Sequence, residues 1–216
     1  MSIDDEKRLA AEAAAALIQS GTRVGLGTGT TVAFLLEAIV RRSVAARFVA
    51  TSPETADAAR SLGIVVVPFD TLDQLDLAID GADQIAPDGW LVKGRGGAHL
   101  REKVVAASAT RFVVIADSSK PVTSLHAPVP LELRAFGLRA TLRELGDVAL
   151  RDVGPSPDGG VLADYYGDVG DPRELAERLA STPGVSAHGL FAPELVSEVI
   201  VATGKTVSST TLGGPR

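Results

Sequence analysis

The residues best suited to chemistry lie in the stretch from Leu77 to Lys103. Two aspartates, a lysine and a glutamate occur there around a glycine-rich loop, namely Asp80, Asp83, Lys93 and Glu102. A glutamate can remove a carbon-bound proton and return it to the neighbouring carbon, while a lysine ammonium stabilises the oxyanion of an enediolate. These residue types therefore indicate proton transfer next to a carbonyl group.

Two short apolar runs position these charges. Residues 77–79 predict a buried strand that ends on Asp80, and residues 91–92 predict a second strand end, at Lys93. An open parallel sheet binds its ligands beyond the carboxyl ends of its strands. We therefore expect both charged groups at one edge of such a sheet.

A glycine-rich loop links the second run to a helix. Gly94, Gly96 and Gly97 allow a backbone to pass close to a ligand, and a helix is predicted over residues 99–109, with Glu102 in its first turn. Each feature alone has an ordinary interpretation, because Asp-Gly pairs mark turns and charged helix starts usually face solvent. Their occurrence together at the ends of successive elements favours a site.

A second glycine-rich segment, residues 25–31, follows a predicted strand at residues 23–26 and precedes a predicted helix at residues 32–42. A dinucleotide-binding fingerprint would place a glycine at Thr30 and an acidic residue at the end of the next strand, which instead leads into Thr51. The sequence therefore argues against a site for NAD.

Two interpretations of this segment remain open. Backbone N–H groups and hydroxyls at a helix N-terminus can hold a phosphate or sugar hydroxyls, which makes binding candidates of Thr28, Gly29, Thr30 and Thr31. Alternatively, Thr30 or Thr31 simply caps the helix.

Other local patterns complete the first part of the chain. A helix is predicted over residues 4–19 with a capping box at Ser2 and Asp5, and another begins at Ser52-Pro53.

Further buried strands are predicted at residues 47–50, 64–67 and 112–116. The last of these leads into a polar loop that ends on Lys120, a second candidate cation at the same sheet edge. A lysine in a polar loop is usually solvent-exposed, so its position after a buried strand is what singles it out.

From about Pro128 the pattern changes. The predicted elements are strand 129–133, helix 138–145, strands 148–153 and 161–166, helix 172–181 and strand 185–191. This β-α-β-β-α-β order is that of ferredoxin-like domains. We therefore predict an α/β protein that combines a Rossmann-like open-sheet domain, residues 1–127, with a second, smaller ferredoxin-like α+β domain, residues 128–194. Residues 195–216 are expected to return to the first domain as a strand at 195–202 and then to become poorly ordered after Gly204.

The composition excludes several classes of protein. The chain has 216 residues, 45% of them hydrophobic, and a net charge of -6 without a basic run, so nucleic acid is not an expected partner. It has no cysteine and its three histidines lack metal-ligand spacing, so no metal is expected. No apolar run approaches the ~20 residues of a membrane span, and the charged N-terminus does not look like a signal peptide. We therefore expect a cytoplasmic protein without membrane association.

Several short motifs occur in a fixed order along nearly the whole chain. They are Gly27-Thr28-Gly29-Thr30-Thr31, Thr51-Ser52, Asp80-Gly81-Ala82-Asp83, Lys93-Gly94, Arg101-Glu102-Lys103, Ala116-Asp117-Ser118-Ser119-Lys120 and Gly189-Leu190-Phe191. In these motifs and their order the chain resembles the ribose-5-phosphate isomerase family of the A type.

The resemblance implies an aldose–ketose isomerase of the pentose phosphate pathway. It would interconvert D-ribose 5-phosphate and D-ribulose 5-phosphate through an enediol, without metal or organic cofactor, as a homodimer or homotetramer. Glu102 matches the base that moves a proton between C1 and C2, Asp80 the ring-opening residue, Asp83 a hydroxyl-binding partner and Lys93 the group beside the enediolate oxygen. The resemblance implies substrate contacts for Thr28, Gly29, Thr30, Thr31, Asp80, Gly81, Ala82, Asp83, Lys93, Gly94, Arg95, Gly96 and Lys120.

Two departures from the family pattern bear on the site. Arg95 interrupts a run of glycines, which would strain the chain if the position has a positive φ and which adds a cation near the ligand. His99 replaces a small residue, and we predict an exposed histidine at the helix start rather than a rival acid–base group. Two alternatives therefore stay open: an isomerase of another phosphosugar, and a non-catalytic sugar-phosphate sensor.

Overall fold

The computed structural model describes residues 1–213. Its α-helices are α1 (Ile3–Ala15), α2 (Thr30–Arg42), α3 (Pro53–Ser61), α4 (His99–Ala107), α5 (Leu138–Leu145) and α6 (Pro172–Ser181). Its strands are β1 (Arg23–Leu26), β2 (Arg47–Ala50), β3 (Leu75–Gly81), β4 (Gln84–Ile85), β5 (Leu91–Val92), β6 (Ala109–Asp117), β7 (Val129–Leu133), β8 (Val148–Leu150), β9 (Val161–Tyr165), β10 (Val185–His188), β11 (Leu190–Phe191), β12 (Glu198–Thr203) and β13 (Thr206–Thr211).

The chain divides into two compact units. Unit 1 comprises residues 1–82, residues 101–120 and the described part of 193–216, and unit 2 comprises residues 83–100 and 121–192. The domain boundaries predicted from the sequence, after residues 127 and 194, remain predictions. The compact units differ from this predicted division chiefly in placing residues 83–100 with unit 2.

Unit 1 is built on a six-stranded sheet with the strand order β13-β12-β6-β3-β1-β2. Neighbouring strands are parallel except for β12 and β13, which are antiparallel. The predicted α/β class with an open sheet is confirmed. Because β1 and β3 are adjacent and parallel, the loops that follow them leave the sheet at the same edge.

Helix α1 begins at the predicted capping box. The Asp5 N–H donates to Ser2 Oγ at 3.2 Å, and the Ser2 N–H donates to Asp5 Oδ2 at 2.9 Å. Its alanine face is buried in the core of unit 1, together with Leu35 and Ile39 of α2. The helix ends at Ala15, before the predicted end at residue 19, because the chain tightens there into an i to i−3 hydrogen bond that turns Ile18 into the core.

The strand predicted at residues 64–67 is wrong. Only an isolated parallel bridge between Val66 and Phe48 forms there, and Val65 is 64% exposed. The β-branched residues suit a strand, but the segment lies at the outer edge of the sheet beside β2, and Pro68 then follows without an N–H to extend the pairing. The segment is therefore attached to β2 by this one bridge and does not form a strand.

The expectation of a poorly ordered end after Gly204 is wrong for residues 206–211. These residues form β13, which pairs with β12 along its whole length after a tight turn at Gly204, where φ is 56°. Threonine is common in strands, so a Ser/Thr-rich composition does not by itself indicate a loop. Residues 214–216, on which the expectation also fell, lie outside the described residues.

Unit 2 contains a four-stranded antiparallel sheet with the order β10-β7-β9-β8. Leucines of the sheet, such as Leu131 and Leu133, are buried in one cluster with Leu175 and Leu179 of α6. The predicted ferredoxin-like α+β fold is confirmed.

A second, three-stranded sheet in unit 2 corrects the expectation for Lys93. Strand β5, which leads into Lys93, is antiparallel to β4 and β11 and is not a strand of the parallel sheet. A tight turn at Gly89 joins β4 to β5, and a hairpin can only be antiparallel. The strand predicted at 185–191 is also divided, because at Gly189 the chain passes from the four-stranded sheet to the three-stranded one.

Among residues 1–213, every helix is too short or too polar to cross a lipid bilayer.

Candidate active site

Asp80 is held at the end of β3 by backbone donors of unit 1. Its Oδ1 atom accepts hydrogen bonds from the N–H of Thr28 at 3.1 Å and from the N–H of Gly81 at 2.7 Å. The residue is 3% exposed. Backbone donors stabilise the charged form of a carboxylate, and each such bond is worth about 1.5–3 kcal/mol. Asp80 is therefore fixed in orientation by the loop that follows β1.

The glycine at position 27 is required by Asp80 itself. A Cβ atom on Gly27 would lie 1.8 Å from the carboxylate carbon of Asp80. No larger residue fits there without moving Asp80. One glycine of this loop thus makes room for a protein side chain, a role that the sequence did not distinguish from close approach to a ligand.

Helix α2 begins without a side-chain cap. Gly29 is the N-cap residue, with a φ of 115°, and within residues 1–213 no side chain makes a capping hydrogen bond to this helix. Capping by Thr30 or Thr31 is therefore wrong. The N–H groups of a first helical turn have no partners within the helix and favour an anion, and the exposed Thr30 lies beside them.

Thr28 is tied to the neighbouring strand. Its hydroxyl shares a hydrogen bond of 2.9 Å with the hydroxyl of Thr51, which follows β2. The two family motifs at residues 27–31 and 51–52 are therefore in contact within unit 1.

Two other candidate residues of unit 1 have different environments. Glu102 lies in the first turn of α4 and is 4% exposed. Lys120 is half-buried in a turn after β6, where the Ser119 N–H donates to Asp117 Oδ1 at 2.9 Å and the Lys120 N–H donates to the Asp117 carbonyl at 3.2 Å. Glu102 is a buried carboxylate, whereas Lys120 retains access to solvent.

Lys93 is buried in unit 2, with 3% exposure. Its Nζ atom lies 5.4 Å from the centroid of the Phe191 ring, within the range of a cation–π contact. Its backbone N–H donates to the Gly189 carbonyl at 2.8 Å, and a Cβ atom on Gly189 would lie 2.2 Å from the Lys93 carbonyl oxygen. The Gly189-Leu190-Phe191 motif therefore shapes both the backbone and the side-chain environment of Lys93.

The loop after Lys93 depends on glycine at position 94. Gly94 has a φ of 112°, and a Cβ atom there would lie 2.7 Å from the His99 ring. His99 is fully buried, so the prediction of an exposed histidine is wrong. The ring occupies space that is open only because residue 94 has no side chain.

Arg95 and Asp83 are linked through the backbone. The Arg95 N–H donates to Asp83 Oδ2 at 3.0 Å, while the arginine side chain is exposed. Ser43 is the one described non-glycine residue with a positive φ, so Arg95 adopts an unstrained backbone. The expected cost of a non-glycine residue at this position is therefore absent.

Lys103 belongs to the Arg101-Glu102-Lys103 motif, but no role of its own was predicted for it from the sequence. The residue follows Glu102 on α4 and is half-buried, and burial of its ammonium lowers its pKa to about 7. The ordinary value is 10.5. Charged residues near the start of a helix were expected to face solvent, and Lys103 differs because it packs into unit 1.

We predict that Lys103 makes stability depend on pH in the alkaline range. Between pH 7 and 10.5 the unfolded chain holds a proton on Lys103 that the folded chain has released, so the free energy of unfolding rises with pH. Below pH 7 the cost of burying the charge is fully present. Water reaches part of the side chain, so we expect the free energy of unfolding to change by about 1–2 kcal/mol, less than the full pKa shift of Lys103 would imply.

Urea denaturation of the wild type and of Lys103→Met at pH 6.5, 8 and 9.5 measures this dependence. The variant should be more stable relative to the wild type at pH 6.5, and this advantage should shrink as the pH rises. Parallel pH profiles for the two proteins would contradict the prediction.

Within residues 1–213, no group of three or more histidine, cysteine, aspartate or glutamate residues has an arrangement that could hold a metal ion.

Unit 1 combines an open, mostly parallel sheet with buried carboxylates on Asp80 and Glu102, an arrangement typical of α/β enzymes that use acid–base groups. The family model of ribose 5-phosphate isomerase A (phosphoriboisomerase A) matches residues 47–206. The chain belongs to this family of isomerases.

Known proteins resemble the chain over nearly its whole length. The ribose-5-phosphate isomerase A of Caulobacter sp. (strain K31) is 40% identical, over 96% of this chain and 98% of its own. The crystal structure of ribose 5 phosphate isomerase A from Neisseria gonorrhoeae superposes with a TM-score of 0.93 at 30% identity and 97% coverage of both chains. A D-ribose-5-phosphate isomerase in complex with phospho-erythronic acid gives a TM-score of 0.90 at 31% identity, with 98% of this chain and all of the other covered.

Proposed function

We propose that this protein interconverts D-ribose 5-phosphate and D-ribulose 5-phosphate through an enediol. The observation that carries the proposal is the burial of three charged candidates: Asp80 and Lys93 are each 3% exposed and Glu102 is 4% exposed. Charged side chains are rarely buried so completely without a structural or chemical reason. Family membership supports the identity of the substrate.

Glu102 is the proposed base. It takes the proton from C2 of the open-chain aldose, the electron pair of the C2–H bond forms the C1–C2 double bond, and negative charge develops on O1. Return of the proton to C1, while O1 takes up a proton and O2 gives one up as the C2 carbonyl forms, gives the ketose. A buried carboxylate suits this role because few water molecules compete with the sugar for its oxygens.

Lys93 and the two aspartates have complementary proposed roles. The Lys93 ammonium stabilises the enediolate oxygen, which carries more charge in the transition state than in the substrate. Asp80, with its carboxylate held by backbone N–H groups, assists ring opening. Asp83 accepts a hydrogen bond from a substrate hydroxyl.

The proposed substrate contacts use backbone donors and cations. The uncapped first turn of α2, with Thr28 to Thr31, suits a phosphate or hydroxyl group. Gly81, Ala82, the loop from Gly94 to Gly96 and Lys120 are further proposed contacts. One relative is described in complex with phospho-erythronic acid, whose name denotes a phosphate and a carboxylate on a short polyol, and we propose that this protein also binds it.

The direct test is an isomerase assay with the purified protein. Ribulose formation should be fastest with ribose 5-phosphate among a panel of aldose phosphates, and solvent deuterium should enter the product at carbon. Activity should survive prolonged incubation with EDTA. Faster turnover of another phosphosugar would assign that sugar as substrate, and binding without turnover of any sugar would leave the sensor alternative.

Arg95 is expected to contribute little to binding. Its side chain is exposed, and surface ion pairs are worth about 0–1 kcal/mol. We predict that Arg95→Gly changes the KM for ribose 5-phosphate by less than about fivefold, roughly 1 kcal/mol, with similar turnover. Arg95→Met is the control, because it removes the charge without adding backbone freedom. A rise in KM well beyond tenfold in both variants, which shrinks at high salt, would make Arg95 a phosphate ligand.

We also propose that the protein acts in the cytoplasm as a homodimer or homotetramer and does not bind nucleic acid. The absence of cysteine and the net charge of -6 support the location and the lack of nucleic-acid binding. Sedimentation equilibrium measures the subunit number, and a monomer at micromolar concentration would contradict the proposed assembly.

A further inference from the structure

Arg151 follows β8 in unit 2 and forms a two-point ion pair with Asp164 on β9. Its Nε donates to Asp164 Oδ2 at 2.9 Å and its Nη2 donates to Oδ1 at 2.6 Å. The two side chains are only 14% and 16% exposed. Such a bidentate pair fixes the plane of the guanidinium group, so the direction of the remaining nitrogen, Nη1, is also fixed.

The Nη1 atom of Arg151 holds two consecutive carbonyl groups of the loop after Lys93. It donates to the Gly94 oxygen at 2.9 Å and to the Arg95 oxygen at 3.1 Å. One Nη atom carries two hydrogens, so a single group satisfies both carbonyls. Both contacts lie within unit 2.

These contacts also determine where the N–H groups of the loop point. In a trans peptide the C=O and N–H bonds point in opposite directions, and the cis bond in the described chain is at Ala127–Pro128. The N–H groups of Arg95 and Gly96 therefore point away from Arg151. The Arg95 N–H meets the Asp83 carboxylate at 3.0 Å.

We propose that Arg151 is a positioning residue for the isomerase reaction. By holding the carbonyls of Gly94 and Arg95 it fixes the loop that begins at Lys93 and, through the Arg95 N–H, the carboxylate of Asp83. This inference rests on the proposed function, because it takes Lys93 and Asp83 to act on the substrate.

The loop needs such support because of its composition. Arg95 and Gly96 are exposed, and glycine has more backbone conformations to lose on ordering than any other residue. Within the loop, the Gly97 N–H donates to the Gly94 carbonyl at 3.0 Å, and this is the same oxygen that accepts from Arg151. Loss of Arg151 would release two peptide planes while the sequence of the loop stays unchanged.

The test compares Arg151→Met, which removes all four hydrogen bonds, with Arg151→Lys, which keeps the charge but cannot span a carboxylate and two carbonyls. With ribose 5-phosphate, we expect kcat to fall at least about tenfold in Arg151→Met and less in Arg151→Lys, because small misplacements of catalytic groups are costly. KM should change less than kcat. Amide hydrogen exchange at Arg95 and Gly97 should become faster in Arg151→Met while the amides of β7 keep their protection.

Arg23→Met is the matched control. It breaks a similar bidentate pair, with Asp76 in unit 1, in which Nε and Nη2 donate to the carboxylate at 3.0 and 2.6 Å. We expect its kcat to stay within about twofold of the wild type. Should Arg151→Met fail to fold, the kinetics and the amide hydrogen exchange are measured on Arg151→Lys and Asp164→Asn instead.

The inference would be overturned if kcat and KM of Arg151→Met were both within threefold of the wild type, or if exchange at Arg95 and Gly97 were unchanged. An equal loss of kcat in Arg23→Met would also overturn it, because the effect would then be general destabilisation. Failure of the proposed function would appear differently, as a wild-type protein inactive on ribose 5-phosphate. In that case faster exchange at Arg95 and Gly97 would still support the conclusion that Arg151 holds the loop, and unchanged exchange would refute it.

Discussion

Glu102→Gln should lower turnover with ribose 5-phosphate by about 10²-fold or more while ligand binding is largely retained. The amide has nearly the shape of the carboxylate but cannot accept the proton from carbon. Because Glu102 is 4% exposed, a water molecule from bulk solvent is a poor replacement for the missing base. Ring opening, which we assign to Asp80, should be unaffected.

Three measurements separate the roles of Glu102. Steady-state kinetics gives turnover, calorimetry with phospho-erythronic acid gives affinity, and deuterium incorporation reports proton transfer at carbon. Glu37→Gln controls for the loss of one negative charge on a helix of unit 1, since Glu37 is exposed and pairs with Arg8. Near-normal turnover of Glu102→Gln would move the base to Asp83 or to the buried His99.

Lys93→Met should lower turnover by about 10²-fold, the scale of loss when one donor to an oxyanion is removed, and should weaken affinity much less. Methionine keeps an unbranched apolar stem and makes favourable contacts with aromatic rings, so packing on Phe191 is retained. The substitution thus removes the charge selectively. The developing enediolate oxygen is where that charge matters most.

The Lys93 prediction is checked by measuring kcat and the Kd of phospho-erythronic acid in the same preparation. Thermal unfolding of Lys93→Met provides the control for packing, and the melting temperature should stay near that of the wild type. A large loss of affinity with unchanged turnover would instead make Lys93 an anchor for the phosphate group.

The sequence by itself determined the elements whose signals are local. Strands β1 and β2 begin and end at the predicted residues, and α1 and α3 begin at the caps formed by Ser2 and by Ser52. These features depend on side-chain periodicity and on hydrogen bonds between residues three apart, so a short window of sequence contains both partners. The order of the motifs likewise sufficed to identify the family and the candidate residues.

Only the tertiary structure decided which partners those residues have. The β-branched run at residues 64–67 could not reveal that it lies at a sheet edge, and residues 91–92 could not reveal an antiparallel partner in β11. Strand pairing is made with segments that are distant in sequence, so the pattern of one strand does not specify its neighbours.

The same limit applies to the site. Asp80 is oriented by Thr28, and the loop at Gly94 is held by Arg151, which lies beyond a complete helix and strand of the second unit. The burial of His99 and the lowered pKa of Lys103 depend on how the chain packs around them. Residue type therefore set which chemistry is available, whereas long-range packing and hydrogen bonding set the orientation, protonation and rigidity of the groups that perform it.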